Sequence, residues 1–545
     1  MKRISKLLVL SALVWAVAAP QASAWGPRAQ RSIAYMALQV IQKDHPDLLR
    51  EYETDLLRGS EEGYAAITDA FPLNSDGESV VGVGLQIRLL RETRELGVGS
   101  YFAYRMGVLA TLTADVLLPY GFAWTPQEQA LRDRIAEDID AHLDDFRYAG
   151  RSSRRTYVRH VRAYFAERRT FFEDNKTLIA DDYSAGLGYA GFLSEAAPAY
   201  FQRAVEAVAD VWYTVLRTEA DPSDEELSRP LMTWYLVREI EYLLQVKKNL
   251  VQTDVTYAHF EKTNPGIMEA YEKVADLYYA FGTDAAIERA VREWRVAHGL
   301  GGPNRDRVGR KLARHYLSVG RRYLESGVKP RANETDLPNA LQAFQDALYF
   351  DRGNADAAGG VQQTNKAIEE RRELYDMYME IIANAERVRE EAGRAFTEGD
   401  YGAAITTYRK AVSLFESVGD DFEKQAITAK EGASGVKKEI AKVVQTVIDK
   451  ATEAIDAGDR AREDRKYDEA IRLYAQVEIV LSEIPADEQS AELVEDKNEL
   501  LAMAQEKTVL AKREQADAIA RAAEAAADTT RRPGGGAPAA PPAGQ

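Results

Sequence analysis

The chain has 545 residues, 46% hydrophobic and 29% charged, with a formal net charge of −17 and a pI near 5.1. That length exceeds what one hydrophobic core serves, so several domains are expected, and the acidic balance argues against electrostatic capture of nucleic acid, which needs Lys and Arg to neutralise phosphates. No cysteine is present, which excludes disulfides, thiolate metal sites, a cysteine nucleophile and a lipid-bearing cysteine.

Residues 1–24 have the three parts of a secretory signal: the basic start Met1-Lys2-Arg3, an apolar run over 7–19, and the small-residue site Ala22-Ser23-Ala24. The run is shorter than the about 20 residues that span a bilayer. Export to the periplasm or the medium is expected, with Trp25 as the first mature residue. From there the chain reads as helices. Residues 32–43 place Ile33, Met36, Ala37, Val40 and Ile41 on one face; 71–77 read as a loop; 85–96 and 100–118 are helical, the second stopped by Pro119 and Gly121. Charged amphipathic helices come next over 128–148 and 154–174, then a long apolar-striped helix over 196–218. Strand signals are nearly absent, so the fold class expected is all-α.

A break at Asp221-Pro222-Ser223-Asp224 precedes helices over 231–250, 265–281 and 284–298, and the Gly/Pro cluster at 299–304 marks a boundary. Beyond it lies internal repetition. Ala340-x3-Phe344-x2-Ala347, Ala404-x3-Tyr408-x2-Ala411 and Ala470-x3-Tyr474-x2-Val477 share one pattern, and Gly399-Asp400-Tyr401 and Arg465-Lys466-Tyr467 supply turns before two of them. This resembles the second helix of tetratricopeptide (TPR) repeats over about 308–484, where small residues let paired helices close on one aromatic. The pattern departs from that family in an insertion at 326–338 and in a spacing of about 65 residues against roughly 34. Extra helix is therefore expected at 362–382 and 424–455. Residues 488–527 read as one charged helix, and the Pro/Gly/Ala-rich end reads as a disordered tail.

The stretch 106–121 together with Trp25 carries a second resemblance. Zinc-dependent phospholipase C and the zinc single-strand nucleases begin with a Trp whose amino nitrogen and carbonyl bind metal, and carry a helix reading Gly-x3-His-x3-Asp-x3-Pro-x-His. Gly107, Thr111, Asp115, Pro119 and Gly121 are similar to that helix in frame. Asp and Pro stand; Thr111 and Gly121 replace the histidines, and Gln30 stands where a further histidine would be. The next ligand pair has no counterpart: Arg132 with Ala136, or His142 with Phe146, are the alignments. Only His45, His142 and His160 of the six histidines fall in this part, too few for a trinuclear cluster. A reduced metal site would draw on Trp25, Asp115 and His142, with Asp138 and Asp69; Asp138 and His142 read first as a solvated helix face.

Other chemistry is thin. His160 lies in a basic run over 154–162 that either faces solvent, balanced by acids, or meets anionic lipid or phosphate. Val80-Val81-Gly82-Val83-Gly84 lacks the residues of a phosphate loop. The organisation expected is a signal over 1–24, a degenerate zinc-phospholipase-C/nuclease-like domain over 25–218, connecting helices over 219–304, repeats over 305–487, a long helix over 488–528 and a tail over 529–545. The leading reading is an exported non-catalytic scaffold, a pseudoenzyme domain joined to repeats that bind a protein or peptide, without catalytic residues, cofactor or nucleic-acid partner. The rivals are a residual zinc phosphoesterase acting on phospholipid or nucleic acid, and phospholipid binding without turnover.

Overall fold

The computed structural model describes residues 24–45, 47–63, 76–146, 155–217, 229–264, 266–485 and 491–530. The expected signal up to residue 23, Asp69, the turn at 221–224 and the tail from 531 lie outside them. All regular structure among the described residues is helical, so the protein is all-α. The chain divides into two compact units, Met1–Leu312 and Ala313–Gln545.

The first unit is arranged around one helix. Its elements are α1 (Pro27–Ile41), α2 (Glu53–Glu62), α3 (Asp76–Arg94), α4 (Ser100–Asp115), α5 (Pro126–Ala141), α6 (Val161–Glu173), α7 (Lys176–Ser184), α8 (Phe192–Leu216), α9 (Arg229–Gln245), α10 (Leu250–Thr263), α11 (Met268–Phe281) and α12 (Asp284–Leu300). Every residue of α4 is buried, and its polar Arg105, Thr111 and Asp115 are held by hydrogen bonds with Gln86, Ser60 and Ala24. It packs on α1, α2, α3, α8 and α9. Glycine permits the closest of these approaches. A Cβ on Gly107 would lie 1.9 Å from the Leu56 carbonyl oxygen, and one on Gly59 equally near that of Tyr104, so the α2 and α4 backbones touch. Trp212 of α8, fully buried, donates its indole N–H to the Met106 carbonyl at 2.9 Å.

Several boundaries differ from the pattern reading, each through a tertiary partner. Helix α1 begins at Pro27, earlier than expected, because Asp140 of α5 accepts from the Arg28 and Ala29 amides at 3.0 and 2.8 Å and caps it from a distance. The expected helix over 154–174 starts only at Val161. Residues 155–160 before it are not helical, and there the Thr156 and Val158 amides donate to Asp210 and Thr214 of α8, both at 2.9 Å. The expected helix over 231–250 stops at Gln245, and a new one capped by Asn249 begins after Lys248 at φ 53°. Residues of α9 to α12 belong to the same hydrophobic core as those of α1 to α8.

The unit boundary falls inside α13 (Arg305–Gly327). The second unit continues with α14 (Asp336–Phe350), α15 (Ala355–Glu398), α16 (Tyr401–Glu416), α17 (Glu423–Glu463), α18 (Tyr467–Ser482) and α19 (Ala491–Thr530). The three marker segments lie on α14, α16 and α18. The extra helix expected between them is fused to the helix that leads into the next marker: α15 and α17 are single helices of 44 and 41 residues, each packed on the marker helix before it and the one after it. That fusion produces the long spacing. The markers' aromatics sit on glycines of their partners. A Cβ would come within 2.8 Å of the Phe344 ring from Gly320 and 2.5 Å from Gly360, and within 2.5 Å of Tyr474 from Gly458.

Candidate functional site

The start of the described chain and the aspartate before Pro119 meet in the core of the first unit. Ala24 and Trp25 are buried, the Ala24 amide donates to Asp115 Oδ1 at 3.2 Å, and the Trp25 indole donates to the Ala114 carbonyl at 3.1 Å. The positions where the resemblance expects further ligands are occupied by hydrogen bonds. Gln30 Nε2 donates to the Trp25 carbonyl at 3.0 Å, and Thr111 Oγ1 donates to the Ser60 carbonyl at 2.7 Å. At Gly121 a Cβ would stand 1.8 Å from the Asp115 carbonyl oxygen, so this backbone has no room for an imidazole.

His142 is engaged elsewhere. Its Nδ1 donates to the Asp138 carbonyl at 2.8 Å, since a carbonyl can only accept, and its ring stacks on Tyr189 with centroids 3.8 Å apart. Asp138 Oδ2 accepts from the Tyr183 hydroxyl at 2.5 Å; burial and this carboxylate push the Tyr183 phenol well up from its ordinary value. Of the alternative ligand positions, Arg132 pairs with Asp133 at 2.9 Å, Ala136 is buried and Phe146 packs edge-on to Phe201. Among the described residues no group of three or more His, Asp or Glu is placed to hold a metal ion. The donors among the described residues therefore do not fit the zinc cluster that the resemblance implies.

The cavity beside Asp115 measures about 40 Å³ and is also lined by Ser79, Tyr120, Glu173 and Lys176. It has room for a water or two, against the several hundred Å³, roughly 300 to 1,000, of a typical ligand site. Tyr120 takes φ 63°, with its hydroxyl donating to the Lys176 carbonyl at 3.1 Å and its ring 4.6 Å from the Lys176 ammonium, which closes that side.

The second unit has the larger opening. A groove of about 970 Å³ lies between the 328–335 loop, α15 and the start of α17. The loop is the insertion seen in the sequence, and it is stapled in place. The Arg331 amide donates to the Asp421 carbonyl at 3.0 Å with Arg331 at φ 57°, and the Arg371 guanidinium reaches the Gly327, Lys329, Ala332 and Asp421 carbonyls at 3.3 to 3.4 Å. Tyr378 donates to Asp421 Oδ2 at 2.7 Å. Tyr375 and Ile427 are 40% and 50% exposed on its walls, with Phe422 between Tyr375 and Tyr378 in edge contacts. Pattern reading marks the insertion but not Arg371, whose role depends on a loop some 40 residues away. Compared with known proteins, the chain matches no family model and no curated protein.

Proposed function

We propose that the protein is an exported, non-catalytic scaffold in which a hydrolase-like helical unit has become structural and the repeat-like second unit binds an extended peptide segment of a partner protein. The observation that carries the binding role is the stapled groove at 328–335. A loop inserted into a repeat and fixed by four backbone-directed bonds, one from the Arg331 amide and three from the Arg371 guanidinium, holds open a cleft with exposed Tyr375 and Ile427. Its size suits a few side chains of a peptide. The rim carries exposed Arg372 and Lys424 together with exposed Glu334 and Glu423, so a peptide carboxylate beside an apolar anchor would be placed by the two cations and kept off the two acids. Support for the structural role of the first unit is the conversion of ligand positions into hydrogen bonds at Gln30 and Thr111. The basic, apolar and small-residue segments at 1–24 support export.

Peptide-library selection on the full-length protein tests the groove. Selected peptides should pair an aromatic or aliphatic residue with an acidic one, and the Tyr375→Ala, Ile427→Asp double variant should lower their affinity about tenfold or more at unchanged helicity. Equal binding by the double variant would reject the groove. Stoichiometric zinc in the purified protein, with phosphodiester hydrolysis lost on chelation, would reject the non-catalytic reading.

A further inference from the structure

The start of α17 lies in the stapled groove, and its backbone is left open there. Phe422 holds the N-cap position in the extended conformation usual for it, at φ −126° and ψ 115°. An aromatic side chain cannot accept a hydrogen bond, and this ring is taken up by edge contacts with Tyr375 and Tyr378. The first amide of the helix to reach an acceptor is that of Ala426, on the Phe422 carbonyl at 2.9 Å. The amides of Glu423, Lys424 and Gln425 find none among the described residues.

Two further features of the groove point to a ligand. Gln425 is only 6% exposed yet lines the groove, and its carboxamide makes one weak bond, from Nε2 to Met379 Sδ at 3.8 Å. Its oxygen accepts from no donor among the described residues. Such a buried acceptor costs stability that an N–H of a ligand would restore. Arg372 and Lys424 stand exposed on the rim, and among the described residues neither is paired with an acid. Glu334 and Glu423 stand on the same rim, so a run of acids is repelled and a single carboxylate is accepted.

The first unit shows what a carboxylate from another segment does at a helix start. Asp140 caps α1 in this way, and Asp182 accepts from the Phe192 amide of α8 at 2.6 Å. We infer that the bound peptide completes α17 in the same manner: an aspartate of the partner supplies the missing N-cap, a backbone N–H beside it donates to the Gln425 oxygen, and Lys424 and Arg372 offset its charge. The bond to Gln425 holds the peptide backbone close to the α17 start, where a side chain of one methylene reaches the open amides and the longer glutamate overshoots. The inference rests on the peptide-groove reading and names the residue that the peptide must carry.

End-blocked peptide libraries with Asp, Asn, Glu or Ala fixed at one position among randomised neighbours test it, by capture on the full-length protein and by hydrogen exchange with the captured pool bound. Asp should be captured about fivefold or more better than Glu, and Asn, which caps without charge, should fall between Asp and Ala. Exchange at the amides of residues 423–425 should slow with the Asp pool bound. Lys424→Gln should bring capture of the Asp pool toward that of the Asn pool and leave the Asn pool unchanged. Gln425→Leu, which keeps the buried volume, should weaken both at unchanged helicity. Glu captured as well as Asp, Asn no better than Ala, or unslowed exchange at 423–425 overturns the cap. The groove itself then stands if the Tyr375→Ala, Ile427→Asp double variant still lowers capture. No capture from any library overturns both.

Discussion

In the first unit helix α4 contacts partners drawn from residues 27 to 245, whereas in the second each helix packs on its neighbours or next neighbours in sequence. The two units also differ in what they bury. The first encloses Asp55, Arg105, Asp115, Arg132, Asp210, Glu272 and Glu293, each tied by particular partners: Asp55, for example, accepts from Tyr242 at 2.6 Å and from Lys247 at 3.0 Å. The second relies on alanine, glycine and aromatic rings, with Asp336, Thr364 and Gln425 as its buried polar residues among those described. Long-range packing around one helix makes a unit that holds or fails as a whole; neighbour packing makes one whose damage stays local.

The largest expected effect breaks that contrast at its centre. Gly107→Ala puts a methyl 1.9 Å from the Leu56 carbonyl oxygen and 2.7 Å from the Ser60 amide, backbone atoms that cannot step aside, so α2 and α4 must part. A loss above about 4 kcal/mol is expected. Urea unfolding combined with hydrogen exchange should show protection falling throughout the first unit. Protection lost only in α2 would refute the single-block description.

Phe344→Ala removes the ring seated between Gly320 and Gly360 and should cost about 3 kcal/mol. Here the contrast predicts confinement. Exchange should quicken in residues 313–327, α14 and the first half of α15, while α18 and α19 keep their protection. Uniform loosening of the second unit would remove the distinction between the two.

A smaller effect sharpens the comparison through pH. Burial pushes the Glu239 carboxyl up from 4.5 to about 7. Its raised value means that the native chain holds this proton at pH values where the unfolded chain has released it, so the penalty is absent below about 4.5 and grows as pH rises to 7. Glu239→Gln should therefore stabilise the first unit by about 2 kcal/mol at pH 8 and leave it nearly unchanged at pH 4. Equal gains at both pH values would show that the side chain is not desolvated.

Much of the helical content was legible because apolar spacing and punctuation are local. Gly399-Asp400-Tyr401 works as the sequence suggests: Gly399 ends α15 at φ 85° and Asp400 caps α16 through the Ala403 amide at 3.0 Å. The nearness of Trp25 to the aspartate before Pro119 was expected only through the resemblance to the zinc hydrolases, and the contact itself is made by the Ala24 amide on Asp115 Oδ1. Helices α2 and α7 were not legible, being of 10 and 9 residues, nor was α10, whose buried Tyr257 and Phe260 pack on Tyr278 and Tyr271 of α11. The fates of Thr111, Gln30 and Gly121 could be read only as replacements. The bonds and contacts that took the place of the ligands became visible with the partners Ser60, Trp25 and the Asp115 carbonyl.

Sequence by itself determined the class of secondary structure, the lack of cysteine chemistry and the positions of the marker helices, since each depends on residue type and short-range periodicity. Tertiary structure alone decided that Gly107 is a helix-crossing point, that α15 and α17 run unbroken, and that an insertion becomes a groove wall. It also decided that the basic run is tied along its backbone to α8. The physical reason is that close approach and capping from a distance are properties of pairs of segments, and one segment's pattern does not contain its partner.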